Sequence, residues 1–381
     1  MRFWPRRRLP VAATPTPDDL LVTEEMLRRG LADVFAVREC QVLGGAIVYR
    51  GRLLTEPAEA VDRILARFRP FGFTPFLRTE GGEMVLRALP LLDVTERSRL
   101  ALHVLLFLLT CVTTLISGAL FFASPTFAPF GLGSPVGTLV TGAPFAATLL
   151  AILGVHEFGH YFTARYHQAS VSLPYFIPAP PIVLFGTLGA IIRMRSPVRG
   201  RNSLFDIAAA GPLAGLLVAV PAIILGLQWS VVGVVPAGDV VHFGDPLLLR
   251  WIVQLHFGQI PAGMDVFLHP VAVAGWAGFF VTALNLFPVG QLDGGRIAYA
   301  LFGRRHRAVG VATFVGLLGL GAVTQSVNWF VWAGLLFFMV GFHHSPPLDD
   351  VTPLTPVRRA VGVLCLVLLV LLIPPVPIAV G

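Results

Sequence analysis

The chain has 381 residues, of which 55% are hydrophobic and 13% are charged, and its formal net charge is +7 at pH 7. The first 99 residues contain 29 charged side chains, whereas the following 282 residues contain only 20. Soluble domains average about 25% charged residues, so the sequence predicts a soluble first quarter followed by a polytopic membrane protein. It excludes a secreted, fibrous, disordered or purely soluble chain.

Residues 1–33 are rich in proline and arginine at their start, and we expect a disordered segment there. A short helix is predicted from Asp18 to Gly30. The first arginines are followed by acids and prolines instead of an apolar core, so a cleaved secretory signal is not expected.

Residues 34–98 predict a small α+β soluble domain. Alternating residues at 34–54 indicate paired strands around Gly44–Gly45, and 56–70 has the periodicity of an amphipathic helix. Residues 73–90 then predict a hairpin that turns at Gly81–Gly82. A docking or regulatory role without chemistry is the simplest interpretation of this domain.

Residues 99–381 predict an all-α transmembrane domain. A helix needs about 20 apolar residues to cross a bilayer, and seven runs are candidates. They are 100–123, 138–164, 204–228, 268–288, 308–324, 327–342 and 357–379. Because the fifth and sixth runs are short, we expect six to seven spans.

The segment 170–202, between the second and third runs, is apolar but interrupted by proline and glycine. We expect a re-entrant segment or a membrane-dipping hairpin there. Backbone that is not helical persists at membrane depth only where protein covers it or where it lines a wet cavity.

Arginine placement predicts the orientation of the spans. With a cytoplasmic N-terminal domain, Arg250 alone falls on the far side, and eleven loop arginines fall on the cytoplasmic side, as the positive-inside rule requires. These are Arg165, Arg193, Arg195, Arg199, Arg201, Arg296, Arg304, Arg305, Arg307, Arg358 and Arg359. Because the basic residues flank apolar runs, we expect membrane lipid as a partner and no nucleic acid.

The sequence His156-Glu157-Phe158-Gly159-His160 ends the second predicted span. On a helix, His156 and His160 project from one face and can share a metal ion, with Glu157 placed to handle a metal-activated water. The alternative is two membrane histidines that hydrogen-bond to neighbours. Each ionisable group in hydrocarbon costs about 2.5 kcal/mol or more unless it is used or paired, which favours a metal site.

Asp293 is the best candidate for the third ligand that catalytic zinc requires. It follows the fourth predicted span in the sequence NLFPVGQLDGGR at 285–296, and Pro288 breaks the helix there. By the predicted topology, it reaches the same membrane face as the HEFGH helix end. The alternative role for Asp293 is that of a helix N-cap or turn residue.

HEFGH followed by NLFPVGQLDGG resembles the site-2 proteases, a family of intramembrane zinc metalloproteases. Over about residues 34–375 the sequence is most similar to the plastid and cyanobacterial "ethylene-dependent gravitropism-deficient and yellow-green" branch. The segments that carry this similarity are SLPYFIP at 172–178, FGTLGA at 185–190, AGP at 210–212 and HP at 269–270. Many bacterial relatives carry asparagine where this chain has Gly215, and the plastid-like branch also has glycine.

The resemblance implies one catalytic Zn²⁺ held by His156, His160 and Asp293, with Glu157 as the catalytic acid and base. It further implies that Asn285 positions the substrate, and we expect Gly186 and Gly189 to contact the substrate as well. The expected activity is hydrolysis of peptide bonds in transmembrane protein substrates, within or near the cytoplasmic side of the membrane.

Two other functions are weighed against this one. A catalytically silent adaptor need not keep all four metal-site residues, and a metal transporter would need polar residues along several spans. A Ser-rich, acid-poor transit peptide is not evident, so a bacterial cytoplasmic membrane is expected in preference to a plastid membrane.

Overall fold

The computed structural model describes residues 17–43, 45–90, 99–122, 135–180, 182–234, 241–341 and 344–380. The chain divides into two compact units. The N-terminal unit comprises residues up to 90 together with 198–201 and 346–353, and the membrane unit comprises the other described residues. Residues 1–16 of the N-terminal segment predicted to be disordered lie outside the described residues, as does Gly44.

The N-terminal unit combines two helices with an antiparallel four-stranded sheet of order β1-β2-β4-β3. Its elements are α1 (Pro17–Arg29), β1 (Phe35–Leu43), β2 (Ala46–Leu53), α2 (Pro57–Phe68), β3 (Phe73–Glu80) and β4 (Glu83–Pro90). Pro57 starts α2, where its fixed φ suits the first helical turn. The predicted hairpin turns at Gly81 and Gly82, which both have positive φ, as tight hairpin turns require. The predicted small strand-containing domain is confirmed.

Two segments from far along the chain continue this sheet beyond β3. The Leu77 amide donates to the Leu348 carbonyl at 2.7 Å, and the Asp350 amide donates to the Leu77 carbonyl at 2.9 Å. The Leu348 amide in turn donates to the Val198 carbonyl at 2.9 Å. An uncovered sheet edge would present unpaired backbone groups, and these segments pair the β3 edge instead.

The membrane unit is mostly helical. Its helices are α3 (Leu100–Phe121), α4 (Pro135–Thr141), α5 (Ala143–Tyr166), α6 (Arg201–Gln228), α7 (Leu247–Phe257), α8 (Pro270–Leu286), α9 (Asp293–Phe302), α10 (His306–Thr324), α11 (Val327–Leu335) and α12 (Pro356–Leu372). Among the described residues, four helical segments are long and apolar enough to cross a membrane, namely Leu100–Phe121, Val136–Tyr166, Arg201–Gln228 and Asp293–Thr324. These four make the chain a membrane protein but do not confirm six to seven spans, because α8 and α11 are shorter than a span requires.

Short strand pairs also occur in the membrane unit, so the predicted all-α character of this region needs correction. The pairs are β5 (Tyr175–Pro178) with β6 (Thr187–Ile191), β7 (Val231–Val234) with β9 (Met264–Phe267), and β8 (Val241–Phe243) with β10 (Ile378–Val380). Non-helical backbone must find hydrogen-bond partners where water is scarce, and strand pairing supplies them. The predicted broken segment 170–202 contains the β5–β6 hairpin.

Helix α8 lies in the core of the membrane unit, since 13 of its 17 residues are buried. Glycines let neighbouring helices approach it closely. A Cβ at Gly226 of α6 would lie 2.3 Å from the Ala272 nitrogen of α8, and one at Gly275 would lie 2.6 Å from Ile223 of α6. Such small-residue contacts are typical of helix packing in membranes. They hold α6 and α8 close together.

Candidate metal centre

Helix α5 carries His156, Glu157 and His160 in its second half, and all three side chains are buried. The four-residue spacing places both imidazoles on one face, as predicted. Their Nε2 atoms lie 3.2 Å apart. Two imidazole nitrogens this close in an apolar interior require a proton or a cation between them.

Asp293 joins these histidines because the chain reverses direction after α8. Helix α8 ends ahead of Pro288, and α9 starts at Asp293. A Cβ at Gly294 would lie 1.9 Å from the Leu286 carbonyl oxygen, and one at Gly295 would lie 2.4 Å from the Gly290 oxygen. The two glycines therefore allow the chain to fold back tightly onto its own turn, which carries Asp293 to α5.

The three side chains form a compact triangle of metal-ligand atoms. Asp293 Oδ2 lies 3.0 Å from His160 Nε2 and 3.5 Å from His156 Nε2. Tetrahedral zinc with bonds of about 2.0–2.2 Å separates neighbouring ligand atoms by about 3.4 Å. The observed separations therefore fit one such ion with its fourth position open. Within the described ranges, no other group of three His, Cys, Asp or Glu residues has this geometry.

A backbone carbonyl orients His160. Its Nδ1 lies 2.7 Å from the Ile207 carbonyl oxygen of α6. A carbonyl can only accept, so Nδ1 carries the hydrogen, and in the neutral ring the lone pair of Nε2 is directed toward His156 and Asp293. This is the arrangement by which metal-binding histidines are usually held in one tautomer.

Glu157 lies beside the triangle without belonging to it. Its Oε1 is 4.0 Å from His156 Nε2, and the backbone amide of Ile192, just after β6, hydrogen-bonds its carboxylate. A carboxylate one water molecule away from the open metal position can accept and return a proton. This position allows the acid and base role of Glu157, which stays a prediction.

The three predicted substrate residues occupy different surroundings. Asn285, in the last turn of α8, places Nδ2 3.2 Å from His156 Nε2. Gly189 lies in β6 with φ +99° and has open space where a Cβ would be, whereas a Cβ at Gly186 would lie 2.3 Å from the Thr113 carbonyl oxygen of α3. The structure thus brings Asn285 to the metal ligands and packs Gly186 against α3.

Sequence reasoning assigned no part in the site to Ile207, Gly211 or Gly215 of α6. A Cβ at Gly211 would lie 2.1 Å from His160 Nε2, and one at Gly215 would lie 3.2 Å from His156 Nδ1. Their four-residue spacing predicts only close helix packing. The structure shows that the surfaces packed against these glycines are the two imidazole rings.

A buried triangle of metal ligands with a neighbouring carboxylate, set among apolar helices, defines the class of membrane-embedded metallohydrolases. Residues 144–323, which include both motifs, match the family model of Peptidase family M50. This part of the chain is therefore similar to that family, and the predicted resemblance to the site-2 proteases is confirmed.

The relatives agree with the predicted branch. The probable zinc metalloprotease EGY2, chloroplastic, of Arabidopsis thaliana is 33% identical over 245 residues, which are 63% of this chain and 43% of the relative. EGY1 of the same plant is 34% identical over 240 residues, 61% of this chain and 43% of the relative. EGY3 of Oryza sativa subsp. japonica is 35% identical over 253 residues, 61% and 42% of the two chains. No solved structure matches the chain.

This chain spans less than half the length of the curated relatives that it matches. These relatives are named as chloroplast proteins, so the comparisons do not support the predicted bacterial cytoplasmic membrane. The prediction rested on the apparent lack of a transit peptide, a signal that carries no information about the membrane region itself.

Proposed function

We propose that this protein is an intramembrane zinc metalloprotease that hydrolyses peptide bonds of transmembrane protein substrates. The observation that carries the proposal is the zinc-sized triangle of His156, His160 and Asp293 with the Glu157 carboxylate beside it. The match of residues 144–323 to Peptidase family M50 supports the same chemistry, and so do the names of the relatives.

In this proposal His156, His160 and Asp293 hold the ion. When bound, zinc supplies a Lewis acid that activates water and polarises the scissile carbonyl. Glu157 accepts a proton from the attacking water as its oxygen bonds to the carbonyl carbon. It then returns that proton to the amine nitrogen as the C–N bond breaks. One water is consumed, and one carboxyl and one amino terminus are formed.

Substrate unwinding is the second requirement of this activity. A helical substrate keeps its carbonyls in hydrogen bonds, so the segment to be cut must become extended. Strand β6 can receive such a segment, because among the described residues its outer edge pairs with no strand and its continuation at Ile192 contacts Glu157. Segment 170–202 would then clamp the substrate, with Gly189 in the receiving strand and Asn285 beside the reacting carbonyl.

The domain organisation is part of the proposal. We assign 34–98 to a small soluble domain and 99–381 to the transmembrane protease domain with six to seven spans, in which α8, α11 and α12 supply the two or three spans beyond the four long apolar helices. The four long apolar helices support the first, second, third and fifth of these spans. Membrane lipid and transmembrane proteins are the proposed partners.

The proposal is tested with purified wild-type protein and Glu157→Gln in liposomes, each assayed for zinc content and for cleavage of a transmembrane substrate. Glutamine keeps the size of the side chain but cannot accept the proton, so zinc is expected in both samples and cleavage only in the wild type. His156→Ala serves as the control that should lose zinc as well as cleavage.

Each other outcome has a defined meaning. Cleavage by zinc-loaded Glu157→Gln would contradict the role of Glu157. Zinc in both proteins with no cleavage by either would favour a silent adaptor, and absence of zinc from both would overturn the metal site.

A further inference from the structure

Helix α3 is long and apolar enough to cross a membrane, but it carries one polar stripe. His103, Thr110, Thr114 and Ser117 recur at intervals of seven, four and three residues, which places them on one helix face. All four are buried. A polar stripe on a membrane helix is costly unless its groups are partnered, so each partner is informative.

The partners divide the stripe in two. The Thr110 hydroxyl donates to the Leu106 carbonyl and the Thr114 hydroxyl to the Thr110 carbonyl, both within α3. His103 and Ser117 instead reach out of the helix to the segment that holds the β5–β6 hairpin. About 21 Å of helix separates these two residues at 1.5 Å per residue.

His103 holds the beginning of the hairpin. Its Nδ1 lies 3.1 Å from the Pro174 carbonyl oxygen, so Nδ1 carries the hydrogen and donates it. The imidazole also packs against Tyr175, the first residue of β5, with ring centroids 4.0 Å apart. The side chain is only 4% exposed, so water does not compete for this hydrogen bond.

Ser117 holds the turn at the other end of β5. Its hydroxyl oxygen lies 2.7 Å from the Leu184 carbonyl oxygen and 3.0 Å from that of Val183. Next to these residues, Gly186 packs on the backbone of α3 at Thr113. Strand β5 is thus fixed to α3 at both ends, and β6 is left to face α5.

We propose that His103 and Ser117 are positioning residues that hold the β5–β6 hairpin against α3 so that the free edge of β6 receives the substrate strand beside Glu157. The inference rests on the proposed protease function, in which β6 pairs with the unwound substrate. A loosened hairpin would have to become ordered at every binding event, which weakens apparent substrate binding without altering the metal ligands.

Two substitutions at His103 separate the contribution of its ring from that of its N–H donor. His103→Phe keeps a ring against Tyr175 but loses the N–H, whereas His103→Asn keeps an N–H donor near the position of Nδ1. The matched control is Thr110→Val, an isosteric change that removes a hydroxyl from the same buried stripe but breaks no bond to the hairpin.

The experiment measures kcat and KM for a transmembrane substrate in liposomes, zinc content, and hydrogen exchange of peptides from 174–191. For His103→Phe and Ser117→Ala we expect KM to rise about 5-fold, the effect of losing one hydrogen bond, with kcat and zinc content unchanged. Exchange of the hairpin amides should be faster in both. His103→Asn should restore KM and slow exchange, and Thr110→Val should match the wild type.

Wild-type KM and exchange in His103→Phe would overturn the inference, as would loss of zinc or of kcat alone, since either would place His103 in the metal site. Absence of cleavage by the wild type would instead contradict the proposed function. The two failures are therefore distinguishable, because the first occurs in an active series and the second does not.

Discussion

Two of the proposed metal ligands, His156 and His160, pack against residues that have no side chain. Gly211 and Gly215 present bare backbone of α6 to the two imidazoles, and the carbonyl of Ile207, one turn before Gly211, holds His160 Nδ1. The space around the histidines is thus set by α6 and not by the helix that carries them. An added methyl group at Gly211 would occupy the place of the His160 ring.

Gly211→Ala is expected to weaken zinc binding about 10- to 100-fold, the usual cost of disturbing groups around metal ligands. The reason is the 2.1 Å separation between the added Cβ and His160 Nε2. Gly215→Ala should have a smaller effect, because its Cβ would lie 3.2 Å from His156 Nδ1. The measurement is zinc retention during titration with a chelator.

Gly316→Ala is the control, since nothing lies within 4 Å of a Cβ at that position of α10. Equal zinc retention in Gly211→Ala and Gly316→Ala would contradict the role assigned to Gly211.

At the residue scale, the sequence predicted the candidate metal ligands and the acid and base residue. It did not predict the residues that hold them in place. His156, Glu157 and His160 lie within one helical turn, so their spacing alone brings them together. Asp293 was inferred from its sequence neighbours and the predicted topology. Gly211 and the Ile207 carbonyl could not be found in this way, because their contacts depend on how α6 rotates against α5, which residue spacing does not record.

At the scale of elements, close helix contacts and one helix break position the site. Helix α8 brings Asn285 to the metal ligands, and the break ahead of α9 turns Asp293 back toward α5. Both placements depend on α8 lying tightly against α6 through Gly226 and Gly275. A greater distance between these helices would move both Asn285 and Asp293.

Gly226→Ala is expected to lower the free energy of unfolding by about 1–3 kcal/mol, the cost of overpacking a closed interior. Its Cβ would lie 2.3 Å from backbone, which cannot rotate away. Gly334→Ala in α11 meets nothing within 4 Å and should raise stability by up to about 1 kcal/mol through helix propensity. Thermal unfolding in detergent measures both, and a shift of the same sign in the two variants would refute the packing argument.

The broken segment 170–202 shows what patterns reveal about elements. Its prolines and glycines predicted non-helical backbone in an apolar region, and the structure agrees. The pairing of β5 with β6 and its attachment to α3 were not predictable, because strands of four and five residues carry too little alternation to be recognised. The number of spans was also not predictable, because an apolar composition does not show that a helix is shortened by Pro288.

At the scale of the whole molecule, the N-terminal unit is discontinuous in sequence. Leu348 enters the hydrophobic core of this unit and is only 3% exposed. Its backbone pairs with Leu77 on one side and Val198 on the other. The pattern of residues 34–98 predicted the sheet, but nothing in it indicated that segments after residue 197 extend it.

Leu348→Ala is expected to lower the stability of the N-terminal unit by about 2–5 kcal/mol, the usual cost of truncating a buried leucine. Hydrogen exchange of β3 and β4 peptides in the full-length protein measures this change. Leu54→Ala, at a side chain that is 46% exposed, should stay within about 0.5 kcal/mol of the wild type. Equal protection in both variants would show that the 346–353 segment is dispensable for the unit.

The discontinuity also determines when, during synthesis, the sheet of the N-terminal unit can be completed. Leu77 and its partner Leu348 are separated by about 270 residues, which a ribosome adds in roughly 15 to 50 s. During that interval the β3 edge is exposed, although the rest of its sheet has long been synthesised. A product that terminates early, anywhere before residue 346, keeps this edge open permanently. The sheet is therefore completed by a segment made after most of the membrane unit, and its completion distinguishes molecules that extend past residue 353 from those that end before residue 346.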